Sequence, residues 1–201
     1  RQRVLLVTGL LGAGKSTALK ALEDLGWETI DNFPIRLLDR MIYSPDSPAP
    51  DLRPPLAIGF DSRTRGFNPA KVIERVKKLV QRSDLELTTL FLDCAGTELE
   101  RRYNETRRRH PLGADGSLQS AIDSELSLLA DLRDWADVMI NTSDLSPHDL
   151  RAELARWFDD VRTTSLSVSV QSFSYKRGLP QGADVVLDCR FLRNPHWDAE
   201  L

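Results

Sequence analysis

Cysteine, histidine and long apolar runs are all scarce in this chain of 201 residues. The two cysteines, Cys94 and Cys189, and the three histidines stand far apart, so they indicate neither a disulfide framework nor a zinc site. No apolar run reaches the roughly 18 residues that a membrane helix requires. The net charge is −3, without the basic excess that is typical of nonspecific nucleic-acid binding. We therefore expect a cytosolic protein that contacts no membrane.

A glycine-rich loop near the start of the chain fits the pattern G-x-x-x-x-G-K-[ST] of phosphate-binding loops. Its glycines permit positive φ angles and close backbone approach, so that successive N–H groups can surround phosphate oxygens. We expect Lys15 to reach the β- and γ-phosphates and to act in catalysis, and Ser16 to ligate Mg²⁺. The expected nucleotide-binding residues of this P-loop are Gly9, Leu10, Leu11, Gly12, Ala13, Gly14, Lys15, Ser16 and Thr17.

The segments on either side of the loop decide between a nucleotide site and an ordinary glycine-rich turn. The apolar residues 4–7 before it are typical of a buried parallel strand. Residues 14–25 after it carry apolar side chains at helical spacing. This succession of strand, loop and helix favours the nucleotide site, because the helix adds its positive dipole end to the loop.

Short apolar strands alternate with helices along residues 1–162. Further strands are predicted at 27–31, 56–60, 87–92 and 138–140, and further helices at 34–41, 69–81, 97–109, 118–135 and 146–161. Residues 44–55 hold five prolines and are predicted to form a surface loop. This order predicts an α/β fold, a doubly wound parallel sheet of about five strands typical of kinase-like P-loop NTPases. The nucleotide is expected at the carboxyl ends of the strands.

The pattern changes after the last of these helices, and we place a domain boundary near residues 162–165. Residues 166–170 alternate between apolar and polar side chains, which predicts a half-exposed strand. Residues 183–187 form a second apolar run and a second expected strand. The segment 166–201 is too short to form a core unaided, so we interpret it as the beginning of an incomplete C-terminal domain.

P-loop enzymes usually place an aspartate that serves Mg²⁺ at the end of a strand beside the P-loop strand. Asp61 and Asp93 are the two candidates. If the third strand adjoins the first and the fourth lies outside it, as in compact P-loop kinases, Asp61 is the metal ligand. The other interpretation of either residue is an aspartate that caps the following turn, which suits Asp93.

Six basic residues in ten make residues 101–110 the densest basic segment of the chain. After the fourth strand of small P-loop kinases, such a segment forms a lid whose arginines stabilise charge on the transferring phosphate. This interpretation makes Arg107 and Arg108 catalytic candidates. Two alternatives stay open: a solvated helix face in an arginine-rich protein, and a patch that contacts RNA.

Several stretches together resemble the RapZ/YvcJ type of P-loop nucleotide-binding protein, the bacterial RNase adaptor family. They are residues 9–16, 21–26, 31–34, 61–63, 101–112, 120–123, 171–176 and 190–198. The last of these, with the sequence RFLRNPHWD, is especially specific. The resemblance spans nearly the whole chain.

The resemblance implies ATP and GTP binding by the N-terminal domain, with weak NTP hydrolysis in some members. The P-loop carries over as the ATP site, and a second stretch, associated with GTP, comprises Asp61, Ser62, Arg63 and Thr64. The resemblance further implies that the C-terminal domain binds small regulatory RNA and an amino-sugar phosphate, that the protein brings RNA to an RNase, and that identical chains can assemble.

Two functions compete on these residues. The first is an adaptor in which bound nucleotide sets the conformation that is presented to RNA or to a protein partner. The second is a small-molecule kinase, because a strand, a P-loop, a lid helix and strands that end in aspartate are also the parts of a kinase. Asp31, at the end of the second strand, would then be the base for the acceptor hydroxyl.

Overall fold

The chain divides into two compact units, Arg1–Val161 and Arg162–Leu201. The computed structural model describes residues 1–42, 53–106, 110–111, 117–159, 175 and 185–188. Within these ranges, no helix combines the length and the apolar character that crossing a membrane would need.

The first unit is built from strands and helices in alternation. Its strands are β1 (Gln2–Gly9), β2 (Glu28–Ile30), β3 (Leu56–Gly59), β4 (Leu85–Asp93) and β5 (Val138–Asn141). Its helices are α1 (Lys15–Asp24), α2 (Leu38–Ile42), α3 (Pro69–Val80), α4 (Gly96–Thr106), α5 (Leu118–Trp135) and α6 (Pro147–Phe158). A 3₁₀ turn, Ile35–Leu37, precedes α2, so the helix predicted at 34–41 is formed in two short pieces.

The five strands form one parallel sheet in the order β2-β3-β1-β4-β5, which confirms the predicted doubly wound fold. The central strand β1 pairs with β3 on one side and with β4 on the other. The expectation that the fourth strand lies outside the first, away from the P-loop strand, is therefore wrong. Both strands that adjoin β1 lead to an aspartate. Strand order alone therefore does not decide whether Asp61 or Asp93 would serve Mg²⁺.

The helices surround the sheet in two groups. Helix α1 packs on α6, whereas α3 and α4 pack on α5. Side-chain caps define where several helices begin: Asn68 accepts a hydrogen bond at the start of α3, Ser117 at the start of α5, and Ser146 forms a capping box with Asp149 in α6. These helices therefore begin where the sequence predicts.

Three predicted segments fall partly or wholly outside the described residues. The arginine-rich helix is described as far as Thr106, and residues 107–109 lie outside. The strand predicted at 166–170 also lies outside, as does most of the proline-rich loop. In the second unit, residues 185–188 have no regular secondary structure, and Leu187 is 75% exposed. The described residues 185–188 therefore do not form the second strand expected there.

Candidate functional site

The P-loop connects the end of β1 to the start of α1. Gly9, Gly12 and Gly14 adopt the positive φ angles expected of them, 151°, 93° and 99°. At Gly9 a side chain is excluded, because a Cβ atom there would lie 2.3 Å from the carbonyl oxygen of Leu92 in β4. Gly14 is the N-cap of α1 and supplies no side chain to its free N–H groups. The backbone N–H groups of the first turn of α1 are therefore available to an anion.

Lys15 lies between two carboxylates at the carboxyl ends of β2 and β3. Its side chain is 7% exposed, and its ammonium group pairs with Asp31 and lies 3.3 Å from Oδ2 of Asp61. Gly59 makes room for this arrangement, because a Cβ atom there would lie 2.8 Å from Oδ1 of Asp31. The structure thus brings together three residues that the sequence singled out, although the sequence did not predict their contact.

Asp61 is fully buried, and Arg63 binds both of its carboxylate oxygens. The guanidinium Nε lies 3.1 Å from Oδ1, and an Nη lies 2.7 Å from Oδ2. Burial alone would raise the pKa of Asp61, but the hydrogen bonds from Arg63 and the nearby charge of Lys15 outweigh it and hold the pKa below its usual range. The carboxylate is therefore ionised at neutral pH.

The residues after Asp61 form a hydrogen-bonded loop. The Asp61 N–H donates to Oγ1 of Thr64 at 3.1 Å, and the Thr64 hydroxyl donates to Oδ1 of Asn32 at 2.8 Å. The Ser62 hydroxyl donates to Glu125 at 2.8 Å. Arg63 is half exposed. Of the four residues of the second predicted stretch, Asp61 thus lies beside the P-loop lysine, while the other three bind Asp61, Glu125 and Asn32.

Asp93 lies at the corresponding end of β4, in different surroundings. Its Oδ2 accepts two hydrogen bonds from Arg133 of α5, at 3.1 and 2.9 Å, and its Oδ1 accepts from the N–H of Cys94 at 3.0 Å. Each described bond of this carboxylate therefore holds α5 or the following turn, and none reaches Lys15.

The described arginines of α4 have unequal positions. Arg101 is exposed and pairs with Glu98 and Glu105 of its own helix. Arg102 instead donates to the carbonyl oxygen of Gly12 at 3.1 Å and to that of Thr142 at 2.6 Å. The catalytic candidates Arg107 and Arg108 lie outside the described residues. Arg102 is a site residue that the sequence analysis missed, because the helical spacing of the arginines does not show which of them faces the P-loop.

Thr142, which follows β5, is the partner of Arg102 in holding the P-loop from outside. Its hydroxyl donates toward the carbonyl oxygens of Ala13 and Asp93, at 2.9 and 3.1 Å. The backbone carbonyls of Gly12 and Ala13 are thereby bound to side chains of α4 and of the segment after β5. Both carbonyls therefore have hydrogen-bond partners outside the loop.

Glu125 of α5 is a second residue that the sequence analysis missed. It is fully buried and receives hydrogen bonds from the N–H of Leu11 at 3.1 Å and from the Ser62 hydroxyl at 2.8 Å, and it lies 3.1 Å from Nε2 of His110. The sequence did contain a signal for Glu125, because its spacing from Ile122 and Leu129 places it on the buried face of the same helix. A carboxylate at such a position needs polar partners in the interior.

The residues of the site are chemically suited to a Mg²⁺–nucleotide complex. The loop has the positive-φ geometry of a phosphate cradle, and the Ser16 hydroxyl is exposed in the first turn of α1. Hydroxyl and carboxylate oxygens are the ligands that Mg²⁺ prefers, usually one or two together with phosphate oxygens. The described residues contain no group of three or more His, Cys, Asp or Glu that would hold a metal ion by itself. Ser16 and Asp61 could therefore hold the ion only as part of such a complex.

Sequence comparison matches both parts of the chain to one family. The sequence model described as the RapZ-like N-terminal domain matches residues 2–162, and the one described as the RapZ C-terminal domain matches residues 166–201. A nucleotide-binding protein of Novosphingobium aromaticivorans is 58% identical over the whole chain, and one of Erythrobacter litoralis is 55% identical. The chain spans 66% of the length of each of these relatives.

Structural comparison finds the same fold in small kinases. A sugar kinase from Janibacter sp. aligns with 83% of this chain and with all of its own, at a TM-score of 0.53 and 16% identity. A shikimate kinase from Acinetobacter baumannii, solved with shikimate, aligns with 77% of this chain and 92% of its own, at a TM-score of 0.52 and 16% identity. At this identity the likeness concerns the fold.

Proposed function

The chain belongs to the RapZ-like family of nucleotide-binding proteins, and from this premise we propose that residues 1–162 form an ATP- or GTP-binding regulatory domain. The observation that carries the proposal is the position of Lys15, buried beside a positive-φ glycine loop and between two carboxylates at the carboxyl ends of the strands. This is where ligands bind in open α/β sheets.

In this proposal the P-loop N–H groups and Lys15 bind the phosphates, while Ser16 and Asp61 hold Mg²⁺. When bound, the ion would neutralise charge on the β- and γ-phosphates. Lys15 would then exchange its contact with Asp31 for the phosphates. Asp61 of the Asp61–Thr64 loop lies 3.3 Å from the lysine, and the loop is proposed to complete the nucleotide site, with Arg63 half exposed and paired with Asp61.

We propose that hydrolysis by this site is slow. Both oxygens of Asp61 accept hydrogen bonds from Arg63, and its pKa is lowered, so it is a poor base for activating water. Arg102, the described arginine that reaches the P-loop, donates to backbone carbonyls. These features are more typical of a domain that is regulated by bound nucleotide than of an enzyme that hydrolyses nucleotide rapidly.

The regulatory function belongs to the whole protein. This chain spans 66% of the length of the relative from Novosphingobium aromaticivorans. We propose that nucleotide occupancy sets the conformation presented to small regulatory RNA and to an RNase, with RNA bound mainly by the C-terminal domain that residues 166–201 begin. The net charge of −3 supports this division, because RNA affinity at physiological salt requires several phosphate contacts.

The test measures nucleotide and RNA binding on the same preparation. We expect the 201-residue chain to bind ATP or GTP with Mg²⁺, and to bind RNA only weakly at about 150 mM salt. A chain extended through the complete second domain should bind RNA without a large change in ATP affinity. Tight RNA binding by the shorter chain would place the RNA site on the P-loop domain, and absence of nucleotide binding would overturn the proposal.

A small-molecule kinase is the second candidate, favoured by the position of Asp31. This carboxylate follows β2, is 42% exposed and touches Lys15, so an acceptor hydroxyl bound beside the phosphates could donate its proton to it. ATP turnover with and without candidate sugars distinguishes the two functions. Acceptor-dependent turnover that Asp31→Asn abolishes supports the kinase, whereas slow turnover independent of any acceptor supports the regulatory domain.

A further inference from the structure

Three segments that are distant in sequence meet at the Glu125 carboxylate. The P-loop contacts it through the N–H of Leu11, and the loop after β3 contacts it through Ser62. The third segment is the one before α5, which contacts it through His110. The separations along the chain from Glu125 are 114, 63 and 15 residues. The parallel pairing of β1 with β3 already places the P-loop and the loop after β3 at the same edge of the sheet, and the carboxylate joins them there by hydrogen bonds.

The geometry divides the two oxygens of Glu125 between the two sides of the site. Oε1 accepts from the Ser62 hydroxyl, while Oε2 accepts from the Leu11 N–H and lies beside His110. A rotation of the carboxylate that improves one set of bonds weakens the other. Because the group is fully buried, a lost bond cannot be replaced by water without opening the site.

His110 extends this connection to α4. Its ring lies 5.2 Å from the ring of Tyr103, centroid to centroid, and Tyr103 borders the P-loop at Gly12. A Cβ atom at Gly12 would lie 3.4 Å from the Tyr103 ring. The P-loop is therefore bounded by two arms of the same cluster, one ending at Leu11 and the other at Gly12.

We propose that Glu125 is a positioning residue that couples the P-loop to the Asp61–Thr64 loop, so that phosphate binding and the position of Ser62 depend on each other. The inference rests on the proposed nucleotide site and deepens it. Glu125 touches no nucleotide in this scheme. It fixes the Leu11 amide and the Ser62 side chain, and through them the P-loop, which carries Lys15, and the loop that carries Asp61.

The variant that tests the proposal is Glu125→Met, which fills a similar volume without a hydrogen-bond acceptor of comparable strength. We expect ATP affinity to fall roughly tenfold and the exchange rate of the Leu11 amide, measured by NMR without nucleotide, to rise. Glu125→Gln should restore both, because its amide oxygen can accept from Leu11 while its NH₂ group donates to the Ser62 hydroxyl. Asp131→Asn, on the exposed side of the same helix, is the matched control and should change neither.

Ser62→Ala measures the coupling. Alone it should weaken ATP binding and speed exchange of the Leu11 amide, which Ser62 does not contact. Combined with Glu125→Met it should add little, because the connection is already broken. Additive effects of the two substitutions, or an unchanged Leu11 amide in both single variants, would overturn the coupling.

Two further outcomes keep the proposals separate. If Glu125→Met does not fold, the Leu11 exchange rate in Ser62→Ala decides the matter, with an unchanged rate counting against the coupling. If the wild-type chain binds no ATP, the proposed function fails, while amide exchange still shows whether Glu125 joins the two loops.

Discussion

The two strands that flank β1 each lead to an aspartate, and the two carboxylates have different partners. Asp61, after β3, is bound by Arg63 and lies 3.3 Å from the P-loop lysine. Asp93, at the end of β4, is bound by Arg133 and by the following backbone. We call the side of the P-loop toward β3, where a carboxylate lies beside Lys15, the charged side, and the side toward β4, where Arg102 and Thr142 bind carbonyls of the loop, the supporting side.

This difference shows that the position of an aspartate in the topology does not determine which groups it binds. Both residues satisfy the rule that an acidic side chain ends a strand beside the P-loop strand. What separates them is the basic residues that each meets: Arg63 of its own loop and the P-loop lysine for Asp61, and Arg133 of α5 for Asp93. The following substitutions test whether the charged side and the supporting side behave differently.

Lys15→Ala should have the largest effect. We expect triphosphate binding to weaken roughly 10- to 100-fold, since a hydrogen bond to a charged group is worth about 1.5–3 kcal/mol. The unfolding temperature should also fall, because Asp31 and Asp61 lose the cation between them. Lys20→Ala, an exposed lysine of the same helix, is the control for ATP titration and thermal unfolding. Unchanged affinity in folded Lys15→Ala protein would remove the P-loop from the proposed site.

Asp61→Asn and Asp93→Asn test the comparison directly. We expect Asp61→Asn to reduce Mg²⁺-dependent hydrolysis by about tenfold or more while ATP binding changes less, because the phosphate cradle is mostly backbone. Asp93→Asn should leave hydrolysis nearly unchanged and lower the thermal stability through its lost partner Arg133. Steady-state turnover at several Mg²⁺ concentrations measures both. The reverse order of effects would assign the metal to β4.

Arg102→Ala tests the supporting side of the P-loop. It removes the donors to the carbonyls of Gly12 and Thr142, so ATP binding should weaken several-fold, about 1 kcal/mol for a hydrogen bond of this kind. Arg101→Ala removes an equal charge from the neighbouring position, which pairs only within α4 in the bonds described. If both variants lose the same affinity in ATP titrations, the cause is net charge and not the contact with the loop.

Asp31→Asn should have the smallest effect and the opposite sign. Removing this carboxylate frees Lys15 of a competitor for phosphate, so triphosphate affinity should rise by up to about fivefold, the range of a partly exposed ion pair. AMP, which lacks the β- and γ-phosphates, is the control ligand and should bind as before. Weaker ATP binding would show that Asp31 contributes to the site when nucleotide is bound.

The sequence predicted the parts of this structure that depend on local pattern. The P-loop with its helix, the start of α5 at Ser117 and the bounds of α5 follow from glycine spacing, a capping residue and apolar periodicity. The arrangement of strands about β1 could not be read in this way, which is why the choice between Asp61 and Asp93 rested on a wrong assumption about β4. The contacts of Glu125 and Arg102 with the P-loop could not be identified from local pattern either, because they are tertiary contacts.

The contact between the end of α6 and Trp27, the residue before β2, has a spectroscopic consequence. The indole N–H of Trp27 donates to the carbonyl oxygen of Phe158, the last residue of α6, and the two rings meet edge to face with centroids 6.0 Å apart. Trp27 is 4% exposed, whereas the adjacent Trp157 is 56% exposed. In a chain whose other two tryptophans, Trp135 and Trp197, are replaced by phenylalanine, emission from the two remaining indoles should therefore differ in wavelength and in quenching by iodide, so that fluorescence can follow release of the end of α6 without any attached label.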